Sequence, residues 1–283
     1  MLKLNLTKLV SSFGLTAILT ISPLLFGVQR APHLRFPPVV NVAMTRVQRV
    51  THAPLFAPTW IPQTTPLVIG GGGGYPVAWV QAERTTYTVT IDYARYQLPV
   101  NSKRWASENL DPMLNPYLTF GTRQYATSHA ALAAVRQQGK MQLGLLPRAS
   151  RVPLAPHQTA QYWLADGVSL MTWHEHGWTV KMAESFAASS PTQAKVWATQ
   201  AATLFIASVP PCPSHHGVLI QEGGGSMNTV TALWAISRNT YTVGSGFGMR
   251  PVAKAIATWN HWSPTGHSTF WTSVSQWWDH LVG

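Results

Sequence analysis

Leu170-Met171-Thr172-Trp173-His174-Glu175-His176-Gly177-Trp178-Thr179-Val180 decides the fold. Two runs of strand-forming residues flank a polar, glycine-ended centre, which reads as strand, turn, strand. Two other stretches have the same form. Ala78-Trp79-Val80 and Tyr87-Thr88-Val89 bracket one turn, and Ala232-Leu233-Trp234 and Tyr241-Thr242-Val243 bracket another around Ser237-Arg238-Asn239. Each carries a Trp in its first strand and an aromatic-Thr-Val in its second, a loose internal repetition.

A helix follows the second and third hairpins. Ser190-Pro191 supplies a cap and a proline at the first helical position. Val196, Trp197, Ala201, Leu204 and Phe205 form its apolar stripe. Pro251 opens the counterpart, where Val252, Ile256 and Trp259 share a face, and a separate helix is predicted from about Thr122 to Gln138 with Gly139 as its stop. The expected fold class is α+β: antiparallel hairpins with a few helices packed on one face, in two related hairpin-helix halves.

Upstream of this body the chain changes character. Residues 9–28 are uncharged, with Lys3 and Lys8 before them and Gln29 and Arg30 after. Such a run is long enough to cross about 30 Å of hydrocarbon, and no small-residue cleavage site follows it closely. Residues 1–30 are therefore expected to be a transmembrane anchor, or else a cleaved signal peptide. From 31 to 74 come prolines at 32, 37, 38, 54, 58, 62 and 66 and a five-glycine run at 70–74, so this stretch reads as a flexible linker. The body then spans 75–283. The expected location is the cell membrane on its extracytoplasmic side, or outside the cell if the leader is removed.

Charge and cysteine content narrow the function. The first 74 residues hold six basic and no acidic side chains, and the remainder fourteen basic and nine acidic. The basic residues of the body are scattered, without the concentrated stripe that nucleic-acid binding needs. Attraction of Arg30 to Arg49 toward anionic lipid or wall polymer fits better. Only 10% of residues are charged, against about a quarter usually. With so few carboxylates, few ion pairs are lost in acid, and the fold is expected to tolerate low pH. Cys212 is the only cysteine, so no intramolecular disulfide exists.

Candidate chemistry is sparse. His174 and His176 are two residues apart at a hairpin tip, where both imidazoles can reach one metal if a third ligand arrives from Cys212, His215 or His216. Cys212 beside His215 and His216 has the residue types of a thiolate nucleophile, but prolines on both sides suit a rigid connector better. Gly244-Ser245-Gly246-Phe247-Gly248 lacks the third glycine of a dinucleotide fingerprint, since Met249 occupies that place, and reads as a flexible connector. Asp166, Glu175 and Glu184 are the carboxylates available for glycosidase-type pairing. Thirteen tryptophans are present, five of them in residues 259–283. Of these, Trp271, Trp277 and Trp278 are candidate ligand-binding side chains, able to stack on sugars or anchor at an interface.

These features favour a membrane-tethered, extracytoplasmic binding domain without catalytic activity or cofactor, directed at a wall or surface polymer or an envelope protein. The alternative is a secreted hydrolase, metal-assisted through His174 and His176 or carboxylate-based.

Overall fold

The computed structural model describes residues 35–61, 74–108, 116–139, 149–165, 167–185, 190–214, 216–224 and 227–264. In chain order the helices are α1 (Pro38–Gln48), α2 (Ser128–Gly139), α3 (Pro191–Ile206) and α4 (Met249–Ala257). A short ribbon pairs β1 (Phe56–Pro58) with β12 (Trp259–His261). The remaining strands are β2 (Tyr75–Glu83), β3 (Thr86–Ala94), β4 (Leu118–Gln124), β5 (Ser150–Ala155), β6 (Gln158–Ala165), β7 (Val168–Glu175), β8 (Trp178–Ser185), β9 (Gly217–Gly224), β10 (Met227–Ile236) and β11 (Asn239–Ser245). They form one ten-stranded sheet in the order β2-β3-β4-β11-β10-β9-β8-β7-β6-β5.

Neighbours are antiparallel except β8 and β9, which run parallel. Parallel neighbours need a crossover, and α3 is that crossover. The protein is thus α+β with largely antiparallel strands, as its hairpins predict. The β7–β8 turn is made by His176 and Gly177, with φ of 44° and 84°. Both values are positive, as the tightest hairpin turns require.

The two faces of the sheet differ. One, the core face, carries Val80, Tyr87, Val89, Phe120, Val243, Trp234, Leu219, Trp178, Val180 and Met171, all buried. Here Trp178 meets Trp234 edge-on at 6.1 Å between centroids, and Trp234 meets Trp259 at 5.4 Å. α1, α3, α4 and the β1–β12 ribbon cover this face. The helices that follow the hairpins of Trp173 and Trp234 both pack on it, Trp173 against Phe205 of α3 and Trp234 against Trp259 just after α4. Trp79 departs from the pattern: it lies on the opposite face, edge-on to Trp105 at 5.8 Å.

Several expectations need correction. Helices occupy both faces, because α2 packs across β9, β10 and β11 on the side away from Trp234. That helix also starts later than its periodicity predicts. Thr122 to Gln124 end strand β4, which is held between β3 and β11. The Thr127 hydroxyl, accepting from the Ala130 N–H at 3.1 Å, caps the helix instead.

Residues 35–61, inside the expected linker, belong to the folded body. Val40, Ala43, Met44 and Val47 lie on one face of α1 and are completely buried. Pro38 sits at the start of the helix, where its missing N–H costs nothing. Pro58 lies in a two-stranded ribbon, where a lost ladder donor is tolerated.

α3 keeps its predicted cap, the Ser190 hydroxyl accepting from Gln193 N at 3.2 Å, but it buries a different stripe. Ala194, Ala198, Ala202 and Phe205 face the sheet, while Val196, Trp197 and Leu204 are 44, 37 and 76% exposed. Alanines at four-residue spacing bring the helix axis close to the sheet, which larger side chains would prevent. The connector at 244–248 is likewise pinned rather than loose. Ser245 Oγ donates to Tyr117 O at 2.7 Å and accepts from Phe247 N at 3.0 Å, and Gly248 N donates to Asn228 O at 2.8 Å.

The leader and residues 62–73 lie outside the described residues, among which no helix is long and apolar enough to cross a membrane.

Candidate functional site

The face opposite the core is rich in threonine because β3, β4, β10 and β11 alternate threonine with apolar residues. Thr86, Thr88 and Thr90 of β3 point away from the core, as Tyr87, Val89 and Ile91 point into it. Pairing extends this into rows across the sheet. Thr88 stands opposite Gly121, which stands opposite Thr242; Thr90 stands opposite Thr119, and Thr119 opposite Gly244. Two glycines in adjoining rows leave a trough between walls of threonine. At Gly121 a side chain would force the neighbouring strand to shift, since a Cβ would lie 2.3 Å from the carbonyl oxygen of Tyr87.

α2 closes the trough from one side with Ala134, Gln137 and Gln138, giving a groove of about 630 Å³. That volume is in the range of small-ligand sites. Thr86 uses its hydroxyl on Thr122 O at 3.2 Å. The hydroxyls of Thr88, Thr119, Thr231 and Thr242 have no hydrogen-bond partner among the described residues. Arg123 lies at one end, its guanidinium 5.4 Å from the centre of the Tyr125 ring. Among the described lining residues there is no carboxylate, imidazole or thiol.

The side chains singled out in the sequence are placed apart. His174, on β7, points to the threonine face, where its Nδ1 lies 3.3 Å from Thr179 Oγ1. His176, in the turn, sits with Nδ1 3.2 Å from the carbonyl oxygen of Val209, beyond the end of α3, and Nε2 3.2 Å from Glu175 Oε1. The turn interrupts the strand alternation that would put both rings on one side. Among the described residues no group of three His, Cys, Asp or Glu side chains could hold a metal.

Cys212 is buried beside the Trp178 ring, with Sγ 3.7 Å from Ser214 Oγ. His216 is exposed on the other side of the sheet, in a second groove with His174, and His215 lies outside the described residues.

Glu175 and Glu184 are separated by nearly the full length of β8, since Glu175 pairs with Trp178 and Glu184 lies six residues further on. At about 3.4 Å per residue this is about 20 Å, too far for a glycosidase pair. Glu184 is buried and accepts a hydrogen bond from Gln221 Nε2. Burial pushes its carboxyl up, and the Gln221 bond opposes this in part. Its cross-strand neighbour Ser169 lies 3.2 Å from the Tyr162 hydroxyl. Asp166, Trp271, Trp277 and Trp278 lie outside the described residues.

The groove threonines were missed at the level of sequence, although their signal is visible. Thr86-Tyr87-Thr88-Val89-Thr90 and Thr240-Tyr241-Thr242-Val243 alternate hydroxyl with core residue. Strand order, which no local pattern encodes, is what sets them side by side.

Comparison with known protein families, characterised proteins and solved structures finds no match to this chain.

Proposed function

We propose that the protein is a non-catalytic binding domain, tethered at the outer face of a membrane, that takes a hydroxyl-rich wall or surface polymer into the threonine groove. The observation that carries this is the set of four threonine hydroxyls, without a hydrogen-bond partner among the described residues, that line a trough with glycine at its floor. Hydroxyls both donate and accept, so they match the alternating donors and acceptors of a saccharide. Gln137 and Gln138 add amides, and Tyr125 adds an aromatic ring. General acid–base chemistry is favoured by a group that titrates near neutral pH, and the described lining offers Arg123, Tyr87 and Tyr125 but no carboxylate, imidazole or thiol. The tether itself follows from the uncharged run at 9–28, and Trp271, Trp277 and Trp278 are proposed as further stacking residues for the same polymer. The shared placement of the Trp173 and Trp234 hairpins, each followed by a helix on the core face, supports two related halves.

Affinity electrophoresis through gels containing neutral and acidic polysaccharides tests this reading. Retardation by at least one polymer is expected, and Thr242→Val, which removes a hydroxyl at nearly constant shape, should abolish it. Free migration in every gel, or undiminished retardation of Thr242→Val, means that the groove is not the site.

A further inference from the structure

We propose that the second groove, on the other flank of α2, is a binding site for an oxyanion, a phosphate or carboxylate group carried by a polar ligand. The groove has a volume of about 480 Å³ and brings together Arg136 of α2, His174 of β7 and His216 immediately before β9. These three come from elements far apart in the chain, so the sheet order assembles them. No carboxylate lines the groove among the described residues, and Arg136 makes no ion pair or hydrogen bond to any of them.

His174 has Nδ1 directed at the Thr179 hydroxyl, which leaves Nε2 for a ligand. Gly177 and Gly217 present backbone to the groove beside the imidazoles. The floor is apolar, made by Val135 and Val218, both buried. An apolar floor lowers the local dielectric and strengthens a charge-assisted hydrogen bond from a guanidinium to an oxyanion. A metal is the weaker fit, because among the described residues the groove offers two imidazoles and no third ligand. This proposal does not depend on the threonine groove binding a saccharide.

The test uses the full 283-residue chain, titrated separately with inorganic phosphate and with glucuronate at pH 6.5. The imidazole proton resonances of His174 and His216 are followed, assigned through His174→Asn and His216→Asn. Saturable shifts of both resonances are expected with at least one probe, and the probe that works identifies the group carried. Arg136→Gln should weaken that binding by about tenfold or more, as loss of a charge-assisted bond implies. Lys103→Gln, far away on the short helical turn Lys103–Glu108, should leave it unchanged. The proposal is overturned if neither probe shifts either resonance, or if Arg136→Gln binds as tightly as the natural chain.

Discussion

Gly121 is where residue chemistry and groove shape meet. A Cβ there would press on the backbone of the neighbouring strand, 2.3 Å from Tyr87 O, and a strand cannot swing aside as a side chain can. Gly121→Ala should therefore cost about 1–3 kcal/mol, as overpacking does, and lower the urea midpoint. Two desolvated carboxylates, the half-buried Asp92 and the buried Glu184, set the response to pH. Burial raises the Asp92 carboxyl to about 6, against the opposing hydrogen bond from Tyr93 N, and it raises Glu184 in the same direction. A carboxyl with a raised folded pKa binds its proton more tightly in the native state. The stability it contributes is fully present below its ordinary value of 3.8, for Asp92, and is lost as pH rises through about 6. Acidification from pH 7 to 4.5 should thus stabilise the native state through these groups, and Asp92→Asn should flatten that rise. Urea midpoints for both proteins at the two pH values check this; equal slopes would show that Asp92 is not responsible.

At the scale of elements, the hairpins were legible because their signals are local: a two-residue turn, with alternation on either side. The segments that were misread involve effects beyond the local window. Prolines at 37, 38 and 58 read locally as linker, although Pro38 starts α1 and Pro58 lies in the β1–β12 ribbon. In α3 size pointed to Val196, Trp197 and Leu204, but close contact with the sheet selects Ala194, Ala198 and Ala202. Both corrections can be tested. Ala198→Leu should destabilise by about 1–3 kcal/mol through overpacking, whereas Leu204→Gln should stay within about 0.5 kcal/mol. The reverse order would restore the larger stripe as the buried one. A chain beginning at Tyr75 loses α1 and β1, with the completely buried Val40, Ala43, Met44, Val47 and Ala57. It should melt at least several degrees below one beginning at Ala31, or aggregate. The second groove is only half visible in the sequence, since His174 and His216 are candidate ligands there whereas Arg136 is one of many scattered basic residues. Nothing in the spacing of residues 136, 174 and 216 says that α2 will lie over β8 and β9.

At the scale of the whole molecule, the ten-stranded sheet has two edge strands among the described residues, β2 and β5. Each carries a proline, Pro76 in β2 and Pro153 in β5, and the β5–β6 register shifts between Pro153 and Ala155. Missing donors and a bulge are the usual means of stopping edge strands from pairing with other copies. Replacing both prolines with threonine should shift the chain toward higher-mass species in size-exclusion chromatography at unchanged helix and strand content; a monodisperse double variant would show that the edges are protected otherwise. The β1–β12 ribbon carries a different consequence. Thr59 N donates to Thr258 O at 2.9 Å across 199 residues of sequence, and Trp262 Nε1 donates to Asn41 Oδ1 at 3.0 Å. The early helix α1 and strand β1 thus have partners made about 200 residues later. During synthesis these two contacts stay open until residue 262 has emerged, so a ribosome stalled earlier displays a nascent chain that proteases cut more readily between residues 41 and 59.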